Sequence, residues 1–167
     1  MSAGHEHAGQ ARAGSGHAGL ELEHVFDIRC DFDLRLTYGP LVGDSHGGFT
    51  RVGSGTIAGP RLNGRLVPQG GGDWATIRAD GVIDLSAHYL LEADDGTTIY
   101  IHNRGYLIPG AREPGSHRTA QPSYFRFTPV FKAPVGPHDW LTRTVIVGTG
   151  VRHWDPDHTI FSYYAVK

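Results

Sequence analysis

From Leu20 onward, apolar residues recur at every second position. Leu20, Leu22, His24, Phe26 and Ile28 alternate with polar neighbours, which is the period of a half-buried strand. Similar runs predict strands over 48–57, 62–67, 74–78, 82–93, 97–107, 123–132, 142–148 and 159–166. No segment sustains the three-and-four spacing of an amphipathic helix, so helix is confined to a turn or two. About nine strands in one short chain predict an all-β fold, a single antiparallel barrel. Closure is preferred over a sandwich because it leaves no strand edge to protect.

Two Asp-Gly turns set the register of the middle. If Ala79-Asp80-Gly81 and Asp94-Asp95-Gly96 are three-residue loops with glycine left-handed, Arg78 faces Val82 and Ala93 faces Thr97. One face then carries Ala75, Ile77, Ile83, Leu85, Ala87, Tyr89, Leu91, Ile99 and Ile101, continued by Asp73 and Asn103. The other carries Trp74, Thr76, Asp84, Ser86, His88, Tyr100, His102 and Arg104. A turn one residue shorter would scatter the apolar set over both faces. At about 25 cal/mol per Å² of buried apolar surface, the first face belongs inside. His88 and Arg104 then point outward unless a lid or a second subunit covers them.

Residues 1–19 hold nothing large and apolar beyond Met1 and predict a disordered tail, leaving 20–167 as the barrel domain. The histidines of that tail, His5, His7 and His17, lack carboxylate or thiol company and make a weak metal set. Within 167 residues there is room for one domain. Fifteen Lys and Arg against 17 Asp and Glu give a net charge of −2, which argues against a nucleic-acid partner. The absence of a long apolar run or a signal-peptide core argues against a membrane and for a cytoplasmic protein. Cys30, the one cysteine, rules out internal disulfides and cysteine-based zinc clusters and reads as a small buried hydrophobe.

The runs GSGTIAGPRLNGRLVPQGGGDW, RADGVIDLSAHYLLEADDGTTIYIHNRG, YFRFTP and WLTRTVIVGTG, in this order, resemble the family known as domain of unknown function 3237. The likeness runs from about Leu20 to the C-terminus. It implies a small β-barrel of calycin-like appearance, found as lone small proteins and in some cases near natural-product or aromatic-degradation genes. The family's Asp-Trp, Asn-Arg-Gly and Tyr-Phe-Arg residues fall on Asp73, Trp74, Asn103, Arg104, Gly105, Tyr124, Phe125 and Arg126. Ser86 and His88 stand where the family commonly has an acidic residue and an arginine, and Thr142 where it has an asparagine. A cross-strand ion pair from position 86 to Arg104 is therefore missing.

The candidate chemistry centres on Asp73. It follows Gly70 to Gly72, where the backbone can approach a neighbour closely, and it stands at the mouth of the apolar face. Desolvation there raises a carboxyl's proton affinity into the range useful for acid–base work. Arg126 is expected to meet Asp73 across the barrel mouth, as an ion pair alone or as a pair that also contacts an anionic ligand, and in catalysis to stabilise developing oxyanion charge, with Tyr89 and Tyr124 orienting the substrate. Trp74, Asn103, Arg104, His88 and Trp140 complete the expected ligand contacts, with Trp140 and Leu141 in a short helical turn plugging one end. His88 and His102 face each other across strands with Asp84 nearby but show no third metal ligand of obvious standing, so no metal is expected. The glycine-serine stretches lack the nucleophile elbow, and Gly148-Thr149-Gly150 lacks the helix of a dinucleotide fingerprint. The proline-bearing stretch between Tyr106 and Ser123 is long enough to act as a lid.

These features favour a cofactor-independent isomerase or cyclase for a small, largely apolar molecule of polyketide or aromatic-derived type. The alternative is a barrel that binds such a ligand without transforming it. A third reading is a structural partner, a homo-oligomer associating through the face of Tyr100, His102 and Arg104.

Overall fold

The computed structural model describes residues 19–115 and 119–167. The tail expected at the N-terminus therefore lies outside the described residues except for Gly19. Eight antiparallel strands, β1 (Leu22–Tyr38), β2 (His46–Ala58), β3 (Gly64–Ile77), β4 (Ile83–Ala93), β5 (Thr98–Ile108), β6 (Tyr124–Lys132), β7 (Ile146–Trp154) and β8 (Asp157–Val166), follow one another around a closed barrel. β1 closes the ring on β8, so every strand has two neighbours. Eight rather than nine strands form because the segments expected at 62–67 and 74–78 are one strand. Between them, at Leu66 and Gly71, β3 slips its register on β4. The segment expected at 142–148 is displaced: a 3-10 turn occupies Asp139–Thr142, and β7 runs on to Trp154.

Both Asp-Gly loops have the geometry read from the sequence. Gly81 and Gly96 are left-handed with φ of 84° and 83°, and the Arg78 and Ala93 N–H groups bond the Val82 and Thr97 carbonyls at 2.9 Å. The register follows, with Ser86 opposite Arg104 and His88 opposite His102. Tyr89, Leu91, Ile99 and Ile101 are accordingly buried in the core with Phe26, Phe127, Ile146 and Tyr163. Phe26 stacks on Tyr163 at 4.6 Å between centroids, and Phe127 meets Tyr163 edge-on at 5.3 Å.

The two ends differ. At one, the 3-10 turn sets buried Leu141 and half-buried Trp140 against the core, and His138 bonds Asp95 of the β4–β5 loop at 3.1 Å. At the other, Thr119 and Gln121 tie the chain ahead of β6 to the end of β7. Trp154 Nε1 donates to the Thr119 carbonyl at 3.1 Å, and the Gln121 side chain bonds both the N–H and the carbonyl of Arg152, at 3.1 and 2.6 Å. Among the described residues no helix is long and apolar enough to cross a membrane.

Candidate functional site

Close-packed β3 positions Asp73. At Gly71 an added Cβ would stand 2.1 Å from the His88 carbonyl oxygen, and at Gly72 2.7 Å from that of Thr50, so only glycine lets β3 lie this close to both neighbours. The β3–β4 ladder runs through Asp73 opposite Ala87 and resumes at Thr76 opposite Asp84. In this gap the Ser86 N–H donates to Asp73 Oδ1 at 2.9 Å. Burial nevertheless dominates: it pushes the carboxyl up to about 6, against the Ser86 hydrogen bond and the positive charge of Arg35.

Asp73 looks into a cavity of about 350 Å³ inside the open half of the barrel. Its walls are mostly apolar, among them Ala75, Ile77, Leu85, Phe125 and Phe161. Arg35, Thr50, Asp73, Ala87 and Asn103 are successive register partners across β1 to β5 and form one inward row of this cavity. Asn103 is only 5% exposed, and its Nδ2 donates to the hydroxyls of Tyr89 at 3.0 Å and Tyr163 at 3.1 Å. The Tyr89 hydroxyl, which lines the cavity, accepts from Asn103 and stands 3.4 Å from the Tyr163 hydroxyl, so its proton is shared between that oxygen and the cavity. Burial raises Tyr89 well above an ordinary phenol, so it is a neutral donor. Burial likewise takes the Cys30 thiol up to about 12, leaving it no nucleophile.

Asp73, Tyr89 and Asn103 are thus gathered as expected, but Arg126 and Tyr124 are not with them. On β6 the inward positions belong to Phe125 and Phe127, so the alternate residues Tyr124 and Arg126 face out. Arg126 bonds the Thr149 hydroxyl at 2.7 Å and its neighbour Phe125's carbonyl at 2.9 Å. It lies in an outer groove with Arg104, Tyr106, Tyr124 and Tyr164. Trp74 is 45% exposed and belongs to an outer stack, 5.0 Å from Phe49 and 4.5 Å from His88. His88 stands 5.0 Å from His102, which shares a 3.0 Å hydrogen bond with Ser86 Oγ. Trp140 lies under the Arg61 guanidinium at 3.7 Å. None of Trp74, His88, Arg104, Tyr124, Arg126 or Trp140 lines the cavity. Period two excludes the first five from the inward set, and Trp140 belongs to the opposite end.

The cavity's arginines are Arg35 and Arg152. β1 keeps its even residues Ile28, Cys30 and Phe32 inside, then a register shift on β2 between Phe32 and Leu34 reverses the parity and admits Arg35. Plain alternation could not have shown this. Arg152 follows Gly148 and Gly150 on the inward side of β7, in the part of the strand beyond the expected end. Asp157 joins the two: Arg35 Nε and Nη2 reach its oxygens at 2.9 and 3.2 Å, and Arg152 Nη2 at 2.6 Å. Tyr163 is a further interior partner of Asn103, and the alternation of Thr159, Phe161, Tyr163 and Ala165 carries its inward direction. Among the described residues no three of His, Cys, Asp and Glu converge as a metal site.

A UPF0311 protein of Clostridium acetobutylicum is 29% identical over 155 residues, covering 89% of this chain and 95% of the relative. The crystal structure of a conserved protein of unknown function from Rhodopseudomonas palustris superposes with a TM-score of 0.80 at 27% identity, over 90% of this chain and 100% of that one. An enzyme from Penicillium herquei shares the fold with a TM-score of 0.70 at 20% identity, over 93% and 100% of the two chains. The family model described as protein of unknown function (DUF3237) matches residues 20–166, all eight strands of the barrel, and the chain belongs to that family.

Proposed function

We propose that the barrel is a cofactor-independent isomerase or cyclase that moves a proton within a small, largely apolar molecule held in the cavity. The observation that carries this reading is Asp73, a carboxyl raised to about 6 by burial and turned into a mostly apolar cavity beside Tyr89 and Asn103. A carboxyl titrating near neutrality can both take and return a proton, which suits acid–base catalysis without a second titrating group. In this scheme Asp73 removes a proton from one atom of the ligand and delivers it to another, so the product has the same composition. The Tyr89 hydroxyl, held by Asn103, donates to the oxygen on which negative charge develops. That a protein of this fold from Penicillium herquei is an enzyme supports the scaffold's suitability for catalysis.

The test is incubation of the full chain with a panel of cyclisable polyketide and aromatic-derived compounds in deuterated water, read by liquid chromatography and mass spectrometry. The wild type is expected to give a product isomeric with its substrate, apart from any deuterium gained. Asp73→Asn should slow that conversion by at least about a hundredfold, the scale of general acid–base catalysis. A ligand bound but recovered unchanged and undeuterated from the wild type would instead establish the carrier reading.

A further inference from the structure

Two guanidiniums share one carboxylate at the open side of the cavity. Arg152 is 9% exposed, and its Nη1 and Nη2 bond Thr159 Oγ1 at 2.8 Å and Asp157 Oδ1 at 2.6 Å. Arg35 bonds Asp157 through Nε and Nη2, and Thr50 Oγ1 through Nη1 at 3.2 Å. Both sit beside the Phe32 ring, 4.8 and 5.4 Å from its centroid, and Arg152 also lies 4.6 Å from that of Trp154. Arg35, Arg152 and Asp157 together carry one net positive charge. Asp73, the acid that lines the cavity, takes its hydrogen bond from the Ser86 N–H and lies within the field of Arg35.

This arrangement is costly as a purely structural device. A buried guanidinium needs one carboxylate, and a second cation on the same carboxylate adds repulsion. Arg152 shows that strain in its proton affinity, lowered first by burial and then by Arg35. Nor are the donors exhausted. A guanidinium carries five N–H groups, and the bonds among the described residues engage three on Arg35 and two on Arg152. Both residues line the cavity, while most of the remaining lining is apolar.

We propose that Arg35 and Arg152 form an anion seat for the carboxylate of an apolar aromatic or alicyclic acid. The proposal rests on the reading of this cavity as a ligand site and names its ligand class. The acid group engages the spare N–H donors, and the body lies against the apolar walls. Along the inward row, Arg35 and Asp73 are two strands apart, about 10 Å at the backbone. The carboxylate therefore anchors the ligand, and atoms several bonds away stand before Asp73 and Tyr89.

The experiment compares sodium 2-naphthoate with the uncharged, near-isosteric 2-naphthamide by isothermal titration calorimetry at neutral pH. The wild type is expected to bind the carboxylate about tenfold or more tightly, the scale of a charged hydrogen bond, and to lose that preference in high salt. Arg35→Gln, checked for wild-type folding by circular dichroism, should bring the two affinities close together. Asp73→Asn should keep the preference. Equal wild-type affinity for the two probes, binding of neither, or an undiminished preference in Arg35→Gln overturns the seat. Asp73-dependent turnover without a carboxylate preference would sink the seat alone. A preference without such turnover would sink the catalytic reading alone.

Discussion

Asp73 is stabilised as an acid and penalised as an anion. Its folded-state value of about 6 lies above the ordinary 3.9 or so of a free aspartate, so the folded chain holds this proton more tightly than the unfolded chain. The sign follows: the contribution favours folding below about pH 4 and is lost as pH rises toward 6, beyond which the half-buried, desolvated anion costs up to ~3 kcal/mol. Asparagine at this position cannot ionise. Urea denaturation across a pH series should therefore show Asp73→Asn gaining stability over the wild type from near zero at about pH 4 to as much as ~3 kcal/mol above neutrality. A difference that stays flat with pH would contradict the burial of this carboxyl. The shift was foreseeable because a carboxyl continuing an apolar strand face has few routes to water. The identity of its cationic company was not, since Arg126 is inward only if β6 is read against its own phenylalanines.

At the scale of elements, the legible parts are those where alternation runs uninterrupted between well-marked turns. β4 and β5 meet that condition, and both their faces and their register follow from residues 82–107. β1 and β3 do not: register shifts beside Phe32 and Leu66 change which side chains enter the barrel or where pairing resumes, and no local sequence period records them. β7 is obscured for another reason. Its inward positions Gly148 and Gly150 have no side chain to betray a period, because the rings of Phe127 and Phe125 occupy that space. A Cβ on Gly148 would stand 2.2 Å from the Phe127 ring. Gly148→Ala should therefore force that ring off its position and lower stability by about 1–3 kcal/mol, the cost of overpacking, as read by chemical denaturation. An unchanged midpoint would show that β7 can move outward, which its short pairing with β6 at Arg126–Thr149 and Phe127–Gly148 would then explain.

Taken whole, the barrel separates two electrostatic worlds. Outside, Asp80 and Asp95 accept backbone hydrogen bonds in their turns and Asp33 pairs with Arg51, all three held below the usual carboxylate range. Inside, one end is packed shut while the other holds a cavity with Asp73 on its wall. The proposed chemistry draws only on the interior and gives the outer histidine and tryptophan stack no role. Carbon-13 NMR titration of the aspartate side-chain carboxyls reads both worlds in one sample. Asp73, assigned by its loss in Asp73→Asn, should titrate with a midpoint near 6, while Asp33, Asp80 and Asp95 titrate below the ordinary aspartate value. An Asp73 midpoint at or below the ordinary value would contradict the account, because a carboxyl so readily ionised could not serve as the proton-carrying group of an apolar cavity.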